Sequence, residues 1–160
     1  MAHMASAKKV QEMREKYEDL AVVCYINSTA ALKTVSDVCV TSSNAVKIVK
    51  ALPNKNIFFI PDENLGSYVA KQVPEKNILL NDGYCPVHKK ITVETVRQTK
   101  AKYPQVEFLA HPECTEEILA EADFIRKHFG HYWLCRKVFK KGIFNWHRGR
   151  CFRRAYEKMP

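Results

Sequence analysis

An α/β fold with a parallel sheet is the class that this 160-residue chain predicts. Three observations predict it. Short apolar runs rich in β-branched residues recur along the chain, helical patterns lie between them, and the first helix–strand unit returns 86 residues later. Strands buried on both faces read as continuous apolar runs, and their alternation with helices is the mark of parallel sheets.

Val10, Met13, Tyr17 and Leu20 recur at helical spacing, and Ala21-Val22-Val23-Cys24-Tyr25-Ile26 follows as a strand. Further strands are expected at 38–40, 57–60, 78–80, 106–110 and 124–125, with helices over roughly 43–52, 65–72, 92–103 and 115–122. Ser42 or Ser43, Asn64, Thr92 and Thr115 are the expected helix caps, because their side chains can accept from free N–H groups of a first turn. A shift of 86 residues lays Lys16-Tyr17 on Lys102-Tyr103, Val22-Val23 on Phe108-Leu109, Asn27-Ser28 on Glu113-Cys114 and Asp37-Val38 on Asp123-Phe124, without a gap. Met1 then falls on Val87, so a Cys-Pro pair is expected just before the chain's first residue. The expected organisation is a complete α/β repeat over 1–84, the start of the next over 85–125, and a basic, poorly ordered tail over 126–160.

The formal net charge is +9, but residues 1–125 hold 15 Lys and Arg against 16 Asp and Glu. Residues 126–160 hold the other 11 basic residues and Glu157 alone. The basic character belongs to one segment, which argues against a nucleic-acid partner for the body of the chain. No stretch reaches the roughly 18 apolar residues of a membrane span. Six cysteines without a secretory pattern read as reduced thiols or ligands in a cytoplasmic protein.

Ligands in parallel α/β units gather beyond the carboxyl ends of strands. Five polar segments fall there: 25–28, 41–44, 62–66, 85–88 and 111–114. In Gly83-Tyr84-Cys85-Pro86-Val87-His88 the proline holds a turn that presents Cys85, either as a thiolate ligand to iron or as a partly buried thiol. Cys85 and His88 with His111 and Cys114 also make a four-ligand zinc pattern. Cys24 and Cys39, inside apolar runs, are expected in the core. Thr41-Ser42-Ser43-Asn44 is a cap whose free N–H groups could also face an anion. His111 and Glu113 could carry proton transfers or stand in a solvated loop, and Tyr25 is a catalytic ring or a core ring with a wet hydroxyl.

These segments, in this order and spacing, resemble quinolinate synthase. The resemblance rests on Cys24-Tyr25-Ile26-Asn27-Ser28, Ser36-Asp37 to Val46, Pro61-Asp62-x-Asn64-Leu65-Gly66, Gly83-x-Cys85-Pro86-Val87-His88 and His111-Pro112-Glu113-Cys114, and covers 1–125. Glu63 stands where many members have arginine. The resemblance implies the three-layer α/β/α form of this fold, as three related domains about a pseudo-threefold axis, each giving one cysteine to a [4Fe-4S] cluster whose fourth iron is open to substrate. It implies condensation of iminoaspartate with dihydroxyacetone phosphate to quinolinate in NAD biosynthesis, with L-aspartate oxidase as a functional partner. Cys85 would be the cluster ligand present here. Tyr25 and Asn27 would bind substrate and move protons, Ser42 and His88 would hold carboxylate or phosphate oxygens, and His111 and Glu113 would be general acid and base.

Two departures accompany the resemblance. The family's first domain and its cysteine are absent, so the chain is expected to begin at an internal methionine and to be inactive alone. After Phe124-Ile125 the family continues Gly-Ser-Thr-Ser-Gly, whereas Arg126-Lys127-His128-Phe129-Gly130-His131 stands here. Written as CGG AAG CAC TTC GGG CAT and read one base later, the segment becomes Gly-Ser-Thr-Ser-Gly. Lys140 to Arg150 can be written so that the same shift gives Lys-Lys-Glu-Phe-Leu-Ile-Gly-Thr-Glu-Glu, which resembles the family's next strand. A frameshift near Ile125 is therefore expected. A nucleic-acid-binding module acting through the tail and a small zinc-binding domain are the alternatives of other classes.

Overall fold

In the computed structural model, residues 1–105, 107–125, 143–147 and 150–151 are described, the last two segments by their backbone alone. The chain divides into two compact units, Met1–Cys85 and Pro86–Pro160.

The first unit runs α1 (Ala7–Lys16), β1 (Leu20–Tyr25), α2 (Ala30–Thr34), β2 (Val38–Val40), α3 (Ala45–Ala51), β3 (Asn56–Ile60), α4 (Glu63–Gln72) and β4 (Asn77–Leu80). Its strands form a wholly parallel sheet in the order β2-β1-β3-β4. All six residues of β1 are buried, and the pleat divides them. Ala21, Val23 and Tyr25 pack with Ala45 and Val49 of α3 and Leu65 and Val69 of α4. Leu20, Val22 and Cys24 pack with Val10 of α1 and Leu32 of α2. In β3, Ile57 and Phe59 join the first set while Phe58 and Ile60 join the second. The sheet is thus covered on both faces, as the α/β/α class requires.

The second unit holds a 3₁₀ turn (His88–Lys90), α5 (Val93–Lys102), β5 (Glu107–Ala110), α6 (Glu116–Ala120), β6 (Phe124–Ile125), β7 (Ile143–His147) and β8 (Arg150–Cys151). Its sheet has the order β6-β5-β7-β8, parallel except for the β7–β8 pair. Val96, Phe108, Ala110, Cys114 and Ile118 form its core. The expected start of β5 at Val106, and most of the segment expected to be a poorly ordered tail, lie outside the described residues.

The caps differ from expectation in two places. α3 is entered through Asn44 rather than Ser42 or Ser43, and the Asn44 Oδ1 accepts from Thr41 N–H at 2.7 Å. Asp62, not Asn64, caps α4, accepting from Leu65 N–H at 2.7 Å. Thr92 caps α5 as expected, and Thr115 holds the cap position of α6 without a side-chain hydrogen bond. Helix α2 was not foreseen; five residues are too few to show periodicity, and Thr29 accepting from Leu32 N–H starts it.

The 86-residue repeat reappears bond for bond. Asp37 accepts from the Val22 N–H at 2.6 Å and from Arg14, and Arg14 also donates to the Val35 carbonyl. In the second unit Asp123 accepts from the Phe108 N–H at 2.7 Å and from Lys100, and Lys100 also donates to the Glu121 carbonyl. Each partner lies 86 residues beyond its counterpart. Each aspartate thus ties the middle of a strand to the helix before it and the loop after the next helix. The cation above Tyr17 is Lys16, and that above Tyr103 is Lys102.

Asp37→Ala should cost the first unit about 1–2 kcal/mol, the value of a charge-assisted bond at a partly exposed site. Hydrogen exchange reads the effect locally. The Val22 amide should lose protection in Asp37→Ala and the Phe108 amide in Asp123→Ala, each leaving the other unit unchanged.

Candidate functional site

Each unit presents a residue pair where its equivalent strand ends. In the first unit the pair is Tyr25, 3% exposed at the end of β1, and Asn27, exposed in the loop beyond; Asn27 Nδ2 donates to the Tyr25 hydroxyl at 3.0 Å. The Tyr25 ring packs in the core and its hydroxyl accepts a hydrogen bond at the strand end. Ser42 is buried in the turn after β2, three residues before α3 begins.

The second unit places His111 and Glu113 at the positions equivalent to Tyr25 and Asn27. Both are 3% exposed, which rules out a solvated loop. His88, from the 3₁₀ turn, joins them at 4% exposure. The imidazoles of His88 and His111 stack with centroids 5.1 Å apart and planes 18° from parallel. Glu113 Oε2 lies 2.9 Å from His88 Nδ1, a contact that needs a proton between the two atoms. The same oxygen lies 3.8 Å from His111 Nδ1, but that nitrogen accepts from the Glu113 backbone N–H at 3.3 Å. A nitrogen that accepts has no proton to give. The hydrogen bond therefore outweighs the longer ion-pair distance, and His111 is read as a neutral ring with its proton on Nε2. A buried carboxylate is stable only when its charge is met, and His88 meets it.

Cys85 opens this turn, and the boundary between the units falls just after it. It is 8% exposed, and among the described residues it belongs to none of the aliphatic core clusters. One ligand atom from each of Cys85, His88 and Glu113 lies within 4.8 Å of the others. Thiolate, imidazole and carboxylate together suit iron or another transition metal. The four-ligand zinc pattern is not what assembles, because Cys114 packs in the core with Phe108 and Ile118.

The chain leading into the turn is braced by residues that pattern reading passed over. Asn81, fully buried, donates to the carbonyls of Pro61 and Met4 at 2.9 and 3.1 Å. Asp62 bridges to Gly83, and a Cβ on Gly83 would stand 2.2 Å from the Pro61 carbonyl oxygen, so only glycine fits there. The Asn81-Asp82-Gly83 turn signal was visible; its role as a brace needs the long-range contact.

Comparison with known proteins bears on the whole chain. The family described as Quinolinate synthetase A protein matches residues 1–130. A quinolinate synthase of Fusobacterium nucleatum subsp. nucleatum is 55% identical over 163 residues, covering 100% of this chain and 53% of that protein. One of Caldicellulosiruptor bescii is 51% identical over 125 residues, 78% of this chain and 41% of that protein. One of Aquifex aeolicus is 47% identical over 125 residues, 78% of this chain and 39% of that protein. The chain spans about half the length of the relatives it matches, and the Fusobacterium match alone among these three continues through the basic segment. With likeness of this extent running through the Cys85, His88 and Glu113 turns and the repeat that carries them, the chain belongs to the quinolinate synthase family.

Proposed function

We propose that this chain carries the central part of a quinolinate synthase active site, for the condensation of iminoaspartate with dihydroxyacetone phosphate to quinolinate in the cytoplasm. The observation that carries the reading is the buried cluster of His88, His111 and Glu113 beside Cys85. Its two units would be one complete α/β repeat and the start of the next in a pseudo-threefold enzyme. L-aspartate oxidase is the functional partner that would supply iminoaspartate.

Cys85 would hold one iron of a [4Fe-4S] cluster, and the donor set fits that role through its single thiolate. Such a cluster, when bound, supplies a Lewis-acidic iron open to substrate. The remaining chemistry falls to the side chains. His111, with its proton on Nε2, would donate a hydrogen bond to a substrate oxygen that gains charge, and would act as a general acid from its doubly protonated form. Glu113, held against His88, is the base that a buried imidazole can recharge. Tyr25 and Asn27 share one hydrogen bond and would bind substrate and pass a proton, while Ser42 and His88 would hold carboxylate or phosphate oxygens.

One thiolate does not retain a four-iron cluster, so the chain alone should be inactive. The resemblance implies Gly-Ser-Thr-Ser-Gly after residue 125, and a shifted frame would account for the basic segment; the family match to residue 130 and the Fusobacterium alignment through that segment are the observations against it. Resequencing the gene across codon 125 should reveal the shifted Gly-Ser-Thr-Ser-Gly reading, and an uninterrupted frame in independent isolates removes it.

Anaerobic reconstitution of the chain with ferrous iron and sulfide should yield little bound iron and no quinolinate, and a stable four-iron centre with turnover would contradict the inactive-fragment reading. A chimera in which residues 1–125 replace their counterpart in the Fusobacterium nucleatum enzyme tests the site itself. It should make quinolinate, and Glu113→Gln within it should lower kcat about 10²–10⁴-fold, the range of a general acid or base. A folded, cluster-loaded chimera without turnover, or Glu113→Gln without effect, would defeat the proposal.

A further inference from the structure

Cys24 and Cys39 are two of the thiols that the functional reading leaves unused. They face each other in register on the parallel neighbours β1 and β2, so their side chains leave the sheet on the same face. Adjacent strands lie about 4.8 Å apart, within the roughly 4.4–6.8 Å Cα separation over which a disulfide closes. Their access differs sharply. Cys24 is fully buried with Val22, Leu32 and Phe58, whereas Cys39, expected in the core, is exposed because β2 is the edge strand. Burial of its sulfur, then the neighbouring Cys24, hold the Cys39 thiol above its ordinary pKa, with Lys33 opposing; the two sulfurs feel each other. Cys24 Sγ also lies 2.9 Å from the Ser28 hydroxyl.

We propose that Cys24 and Cys39 are a redox-modification site, at which a small disulfide of the glutathione class converts the two thiols to an intramolecular disulfide. Cys39 is the entry thiol and Cys24 the resolving one. Cys39 gives its proton to water, its thiolate attacks one sulfur of the small disulfide, and the S–S bond breaks to release one small thiolate, which takes up a proton. Cys24 gives up its proton by way of Ser28, and its thiolate attacks the Cys39 sulfur of the mixed disulfide. The second small thiolate leaves and takes up the proton that Cys24 gave. Two protein thiols have lost two electrons, and one small disulfide has become two thiols. The bond would tie the end of β1, next to Tyr25, to β2 three residues before Ser42. The redox chemistry stands without the proposed function; only its effect on catalysis rests on that reading.

The test uses the full reduced chain, incubated with rising oxidised-to-reduced glutathione ratios and digested with trypsin without reduction. Tryptic peptides 17–33 and 34–47 should appear joined, lighter by two hydrogens than their sum. Cys39→Ser should lose the joined species entirely and leave Cys24 unmodified, while Cys24→Ser should stop at a glutathione adduct on Cys39. A lasting glutathione adduct on Cys39 in the unsubstituted chain overturns the proposal, as does a bond from Cys39 to any other cysteine.

Discussion

The structure turns on one aspartate per repeat, gripping the middle of its strand. A strand offers its N–H groups to its neighbours, yet at Val22 and Phe108 the donor goes to a carboxylate instead. That carboxylate in turn holds a basic residue on the preceding helix, whose cation also closes the loop carbonyl two residues before the aspartate. Helix, strand and the return of the chain are fixed by one charged group. The strand's carboxyl end is thereby set, and so are the two positions beyond it.

Those positions are where the two repeats diverge in chemistry while keeping their geometry. Tyr25 and Asn27 form a neutral pair, with one side chain donating to the other. His111 and Glu113 occupy the same places as an ionisable pair, fully desolvated and joined by His88. Desolvation strengthens each electrostatic contact but makes an unpaired charge costly. The carboxylate of Glu113 therefore meets His88, while its backbone N–H meets His111, so both stacked rings are held by one residue. One repeated scaffold thus carries a neutral pair at one strand end and an ionisable pair at the other.

Much of this was legible in the residues. β2 and β6 fall where the apolar runs put them, and the repeat found by shifting the chain predicts which bonds recur. Strand-end placement singled out Cys85, His111 and Glu113 before any contact was known. What escaped had physical reasons. α2 is shorter than the window in which a period shows, and Asp62 precedes the asparagine that looked like a cap. Cys39 lies in an apolar run like Cys24, but an edge strand exposes what a central strand buries, and strand order is a long-range property. Cys114, a metal-ligand candidate by spacing, turns inward with Phe108. No local pattern shows that His88 meets Glu113, since 25 residues and a helix separate them.

The central claim is that Glu113 holds both buried rings, its carboxylate against His88 Nδ1 and its backbone N–H on His111 Nδ1. Long-range ¹H–¹⁵N correlation of the histidine side chains observes this directly. His111 should show an unprotonated, accepting Nδ1 and a protonated Nε2, and Glu113→Gln should move the His88 nitrogens while those of His3 stay still. Ordinary, rapidly averaged imidazole signals for His88 and His111, indifferent to Glu113→Gln, would contradict it.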